Sequence, residues 1–188
     1  MTILRRGSWV AMVLVVFATA CAGERHEDDE GDGNFETGIP GSKRLSDLSD
    51  SELERLCDEI EEFAESPAVS ETSHEYACRL GGMVGALFAD PMTDAEARAA
   101  CAEVYDECRA SGGSSMTTCN RPSASCTATV AEYEACMADI PGYLEATLAV
   151  IPTCETLTLA SLEEDPADAP EYPASCALVE EKCPDDEL

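Results

Sequence analysis

Eleven cysteines in 188 residues constrain this chain more than any other feature. Five of them fall in one stretch, CAEVYDECRASGGSSMTTCNRPSASCTATVAEYEAC, from Cys101 to Cys136. Two helical patterns bound it, each with the motif Tyr-x-x-Cys: Tyr105 with Cys108, and Tyr133 with Cys136. A Gly/Ser/Pro-rich connection lies between them. Cys101 and Cys108 stand seven residues apart on one expected helix. At ~1.5 Å of rise per residue their Cα atoms are roughly 10 Å apart. A disulfide needs about 7 Å or less. The two therefore cannot bond each other, and each must reach another segment. Two arrangements suit an antiparallel hairpin. One is nested, Cys108–Cys119 with Cys101–Cys126. The other joins the helices directly, Cys108–Cys126 with Cys101–Cys136. Pro122 makes the connecting segment non-helical, and spacing does not choose between them.

The cysteine density implies an oxidising compartment. The first twenty residues agree. They contain no acid, carry Arg5 and Arg6, and follow with an apolar run from Trp9 to Phe17 and the small residues Ala18-Thr19-Ala20. This is the pattern of a secretory signal peptide, and it is too short to span a bilayer, which takes ~20 residues. Two cleavages fit it. Ordinary signal peptidase accepts Ala18-Thr19-Ala20. The same residues before Cys21 resemble the lipobox of bacterial lipoproteins, whose cysteine becomes the lipidated first residue. Ala18 replaces the usual Leu. Parity favours lipidation of Cys21. An odd cysteine in an exported chain needs an explanation, and setting Cys21 aside leaves ten for five disulfides: Cys57, Cys78, Cys101, Cys108, Cys119, Cys126, Cys136, Cys154, Cys176 and Cys183. Ala22 follows, not the Asp associated with retention in the inner membrane. The expected location is the outer membrane, facing the periplasm or the cell surface, with free secretion as the alternative.

Residues 21–44 read as the lipidated cysteine and a disordered acidic tether. The composition holds too few apolar groups to offset the entropy of ordering. Asp28-x-Glu30-x-Asp32-Gly33 resembles the start of a calcium loop, but the twelfth position is Ile39 where a bidentate Glu is needed. No metal or other cofactor is expected.

Residues 45–188 are expected to form one all-α, disulfide-stapled domain. Four Ser/Thr-x-x-Glu capping boxes mark helix starts: Ser49/Glu52, Thr72/Glu75, Thr93/Glu96 and Thr129/Glu132. The first helix places Leu53, Leu56, Cys57, Ile60 and Phe63 on one face. The second carries Cys78, Leu80, Val84 and Leu87 and stops before Asp90-Pro91. The third spans about 94–109, and the fourth about 130–140, ending at Pro141-Gly142. A last helix follows Pro173 and carries Cys176 toward Cys183. Leu157 and Leu159 alternate and allow one short strand. Gly81-x-x-x-Gly85 predicts close packing against another helix. Phe63 and Phe88 are the only Phe left for this domain once Phe35 is assigned to the tether, so disulfides must supplement a small core.

All 39 acidic residues follow residue 20, against 9 of the 11 basic ones, so the remainder carries about −30. Such a surface repels phosphates and excludes nucleic-acid binding through them. It would also be repelled by anionic membranes, so membrane attachment falls to the lipid. A cationic partner would suit this charge, but solubility alone accounts for it.

No catalytic residue is expected. There is no Cys-x-x-Cys, no His-Glu-x-x-His and no Gly-x-Ser-x-Gly. His26 lies in the tether and His74 near the start of a helix. A hydrolase remains the alternative from another class, and a pocket joining His74, a buried carboxylate and a Ser would favour it. The segments LSDSELERLCDEI, EARAACAEVYDEC, SCTATVAEYEAC and PASCALVEEKCP, after an acidic tether and a lipobox-like cysteine, resemble uncharacterised cysteine-rich acidic lipoproteins of myxobacteria. That resemblance implies an outer-membrane lipoprotein and carries over no activity. The expected role is a binding or structural module, with a partner the residues do not name.

Overall fold

The computed structural model describes residues 35–112, 119–163 and 168–185. The signal-peptide region, Cys21, His26 and the acidic run around Asp28 lie outside the described residues. The described chain is helical and disulfide-linked, as expected, with no strand among the described residues. A 3₁₀ turn, Leu45–Asp47, precedes α1 (Asp50–Glu65), α2 (Pro67–Phe88), α3 (Asp94–Ser111), α4 (Val130–Val150), the short α5 (Leu159–Glu163) and α6 (Ala174–Lys182). Helix α2 packs against α3, α4 and α1, and α4 packs against α6.

Local chemistry starts three of the helices where the sequence signals it. Ser49/Glu52 and Thr129/Glu132 form complete capping boxes on α1 and α4. Thr93 accepts the Glu96 amide hydrogen on α3. Each cap occupies amide donors that a helix start otherwise leaves unpaired. The expected start at Thr72 is not used. Helix α2 begins at Pro67, whose fixed φ and missing N–H suit a first helical position. Thr72, now inside the helix, donates to the Ala68 carbonyl at 3.0 Å. Helix α4 likewise does not stop at Pro141 but runs through it to Val150. Proline there removes one backbone bond, to Met137, and disfavours the helix by about 3 kcal/mol. Packing of α4 on α2 and α6 opposes that term. The region of Leu157 forms no strand; Leu157 is fully buried and leads into α5.

Two apolar clusters fill the interior. The larger joins α1, α4 and α6 through Leu56, Ile60, Phe63, Val130 and Val179. The smaller lies between α2 and α3, where Ala86, Ala97, Cys101 and Leu157 meet. The larger one corrects the expected domain boundary. Residues 35–44 are not tether. Phe35 and Ile39 are buried in the core. The Phe35 ring meets Phe63 edge-on at 5.2 Å and Tyr133 at 6.1 Å. Thr37 is buried and donates from both its amide and its hydroxyl to Glu134 Oε1, at 2.8 and 2.7 Å. The amides of Val130, Ala131 and Leu45 pair with Lys43, Gly41 and Ala128, tying this segment to the start of α4. Low overall apolar content misread it, because two well-placed apolar side chains and a backbone ladder are enough to order ten residues. Phe88, counted toward the core, is instead exposed at the end of α2.

The ten cysteines form five disulfides, and both expected arrangements of the central stretch are wrong. The pairs are Cys57–Cys119, Cys78–Cys108, Cys101–Cys154, Cys126–Cys183 and Cys136–Cys176. No bridge forms within Cys101–Cys136, because α3 and α4 are not a hairpin pair. Helix α3 lies on α2, and α4 lies on α6. Helix α2 does pack closely on another helix, but the close glycines are Gly82 and Gly85 and not Gly81: Gly85 faces Val104 and Gly82 faces Cys101, both on α3, whereas Gly81 stands clear of close contact.

Candidate binding cleft between α2 and α3

One open cleft of about 550 Å³ lies where α2 passes the C-terminal end of α3. Ser70, Glu71, His74 and Glu75 contribute one face, and Arg109 and Gly112 the other. The spacing explains the first face. Positions 70, 71, 74 and 75 fall on one side of a helix of 3.6 residues per turn. Cys78, one turn on, continues that side and crosses to Cys108 of α3.

Glu75 is the hub of the polar groups. Its Oε1 accepts from Arg79 Nε at 2.6 Å, and its Oε2 accepts from the Tyr105 hydroxyl at 2.8 Å. The Arg109 guanidinium stands 3.6 Å from the same Oε2. Arg79 also donates to the Leu148 carbonyl on α4 at 3.1 Å. One carboxylate thereby links three helices. Burial pushes its pKa up, but the hydrogen bonds from Arg79 and Tyr105 and the two guanidinium charges outweigh that, and the net shift is downward. The Tyr105 hydroxyl is pushed up, by burial first and then by the carboxylate it donates to.

His74 sits on the disulfide. Both ring nitrogens lie 3.8 Å from Cys78 Sγ, so the imidazole meets the sulfur nearly symmetrically. One donor atom from each of His74, Cys78 and Cys108 lies within 4.8 Å of the others, the one such group of three among the described residues. With the bridge closed, both sulfurs are committed to each other.

The cleft does gather His74, a carboxylate and Ser70 on one helix face. Glu75 is nevertheless turned to Arg79 and Tyr105, and among the described residues no hydrogen bond joins His74 to Ser70 or Glu75. Of the residues singled out by sequence, the ten cysteines are paired and His74 reaches the cleft. The Glu75–Tyr105 link was missed. Its signal was the motif Tyr105-x-x-Cys108, whose members share a helix face and both meet α2. The second copy of that motif does something else: Tyr133 packs on Phe35, and burial raises its pKa to about 12.

Among the described residues no helix is long and apolar enough to cross a membrane. No known protein family, curated protein or solved structure matches the chain.

Proposed function

We propose that the chain is a lipoprotein of the outer membrane, lipidated at Cys21, whose helical domain is a non-catalytic binding or structural module facing the periplasm or the cell surface. Cysteine parity carries this reading. Five bridges occupy ten of the eleven cysteines. Cys21 is the one remaining, and it follows a signal-like segment at the position where a lipobox would place the acylated residue. Five disulfides also suit an oxidising compartment outside the cytoplasm.

Charge and lipid then divide the work. An acidic domain is repelled by anionic bilayers, so its own surface does not supply attachment. Acyl chains do, at ~0.8 kcal/mol per buried methylene, and two or more chains give stable anchoring. Because residues 35–44 belong to the domain, the stretch between Cys21 and the domain is ten residues shorter than the sequence implies. Fractionation with metabolic labelling by a palmitate analogue tests the anchor. Wild-type protein should be labelled and sediment with outer membranes. Cys21→Ser should be unlabelled, and either leave the membrane fraction or persist as an uncleaved precursor. Wild type that is soluble and unlabelled would instead mark a freely secreted protein.

A further inference from the structure

We infer that the Cys78–Cys108 bridge is a masked metal site, which on reduction becomes a Cys₂His centre for a thiophilic divalent cation such as Zn²⁺. Three observations converge on it. A third ligand stands beside the sulfur, with both His74 nitrogens 3.8 Å from Cys78 Sγ. Ligand bonds of ~2.3 Å to sulfur and ~2.0 Å to nitrogen set a tetrahedral N···S edge of about 3.5 Å, so the separation is close to that of a shared ion, and the His74 ring must turn to aim one nitrogen's lone pair at it. Second, the ligands are held by helices that do not depend on this bridge. His74 and Cys78 are four residues apart on α2, and Cys108 is on α3. Those helices remain joined by the Gly82 and Gly85 contacts and the Glu75–Tyr105 hydrogen bond. Third, the site has access. Cys78 is fully buried, but Cys108 and His74 are half-buried and His74 opens on the cleft.

The chemistry balances with a dithiol as co-reactant. The dithiol gives two electrons and two protons to the bridge, which becomes two thiols, and closes to its own disulfide. The divalent cation then binds both sulfurs and the neutral imidazole, and the two thiol protons pass to solvent. Removing the metal and oxidising the thiols restores the bridge. The other four bridges have no third nitrogen or carboxylate donor grouped with them among the described residues, so opening them creates no comparable centre.

Limited reduction of the full mature chain with dithiothreitol, followed by removal of reductant and titration with Co²⁺ under nitrogen, tests this. Alkylation and peptide mapping should show Cys78 and Cys108 open while the bridges of Cys101, Cys126 and Cys136 stay closed and helical circular dichroism is unchanged. Co²⁺ should then give the thiolate charge-transfer and visible bands of a tetrahedral site, at one ion per chain, and Zn²⁺ should displace it. His74→Ala should open at the same reductant concentration but bind Co²⁺ at least about tenfold more weakly, since even losing an outer-shell partner lowers affinity 10–100-fold. Equal affinity and spectrum in wild type and His74→Ala would overturn the proposal. So would loss of helicity before this bridge opens, or absence of a thiolate band once it has opened.

Discussion

A side chain at Gly82 would collide with Cys101. A Cβ built there lies 2.9 Å from the Cys101 sulfur, 3.0 Å from its carbonyl oxygen and 3.2 Å from Cys154 Sγ. Two of these are bridge sulfurs and the third is backbone, so none can swing aside. Gly81, its neighbour, meets only Val104 Cγ1, at 3.9 Å. The two glycines should therefore respond oppositely to alanine. Both substitutions gain about 1 kcal/mol of helix propensity. At Gly82 overpacking of about 1–3 kcal/mol opposes it, and backbone and disulfide atoms put this site at the upper end. Thermal melts should show Gly82→Ala lowered by several degrees and Gly81→Ala unchanged or raised. A Gly82→Ala protein as stable as Gly81→Ala would mean that α2 and α3 are not this close.

Gly85 offers a repairable version of the same contact. Its Cβ would lie 2.6 Å from Val104 Cγ2 and 3.2 Å from Val104 Cβ. Gly85→Ala alone should destabilise. Paired with Val104→Ala, which clears the methyl group, it should recover part of the loss. A double-mutant cycle should give a coupling of about 0.5–3 kcal/mol, the range for residues in contact. Additive effects would count against the contact.

Phe35→Ala should lower stability by about 3–5 kcal/mol, the range for a buried Phe. Limited proteolysis of the mature chain should spare residues 35–44. Ready cleavage between residues 35 and 44, or a neutral Phe35→Ala, would return this segment to the tether.

Peptide mapping without reduction should recover the five bridges named above, with no free thiol among the ten cysteines. The bridges close sequence separations of 62, 30, 53, 57 and 40 residues. In the chain-entropy account each stabilises by about 3–4 kcal/mol. Full reduction should therefore remove most of the helical signal at physiological temperature. Unchanged melting after full reduction would show that the two small apolar clusters suffice by themselves.

Acid should weaken three specific links. Hydrogen bonds from Lys43 and then Ser49 hold Glu52 at about 2. Lys182 and the Thr129 amide hold Glu132 low, and Glu75 is low for the reasons given above. A carboxylate depressed in the folded state contributes stability above its unfolded pKa, near 4.5, and loses it as pH falls through the folded value. For Glu52 the window therefore runs from about pH 4.5 down to about 2. Protonation elsewhere on this acidic surface relieves repulsion and acts in the opposite direction. The informative quantity is the difference between wild type and variant. Glu52→Gln and Glu75→Gln should each be less stable than wild type at pH 7; the gap should close across that window for Glu52, and as pH falls below about 4.5 for Glu75. A gap independent of pH would show that these carboxylates act through packing alone.

The residues by themselves determined what local contacts decide. A capping box spans four residues and a helix face repeats every three or four, so α1, α3 and the start of α4 are legible in Ser49/Glu52, Thr93/Glu96 and Thr129/Glu132. An even set of ten cysteines implied pairing without a structure. The glycine spacing on α2 implied a close helical neighbour. Tertiary structure alone decided which partner each of these met. The bridges join residues 30 to 62 positions apart, and their pairing follows from α3 lying on α2 and not on α4. The same holds for Phe35, whose burial depends on Phe63 and Tyr133, and for Pro141, whose helix continues because its neighbours hold it. The cleft was equally hidden. Glu75 and Tyr105 are 30 residues apart, and nothing local to either one specifies that a carboxylate on α2 will accept a hydrogen bond from a hydroxyl on α3, or that His74 will rest on the Cys78 sulfur.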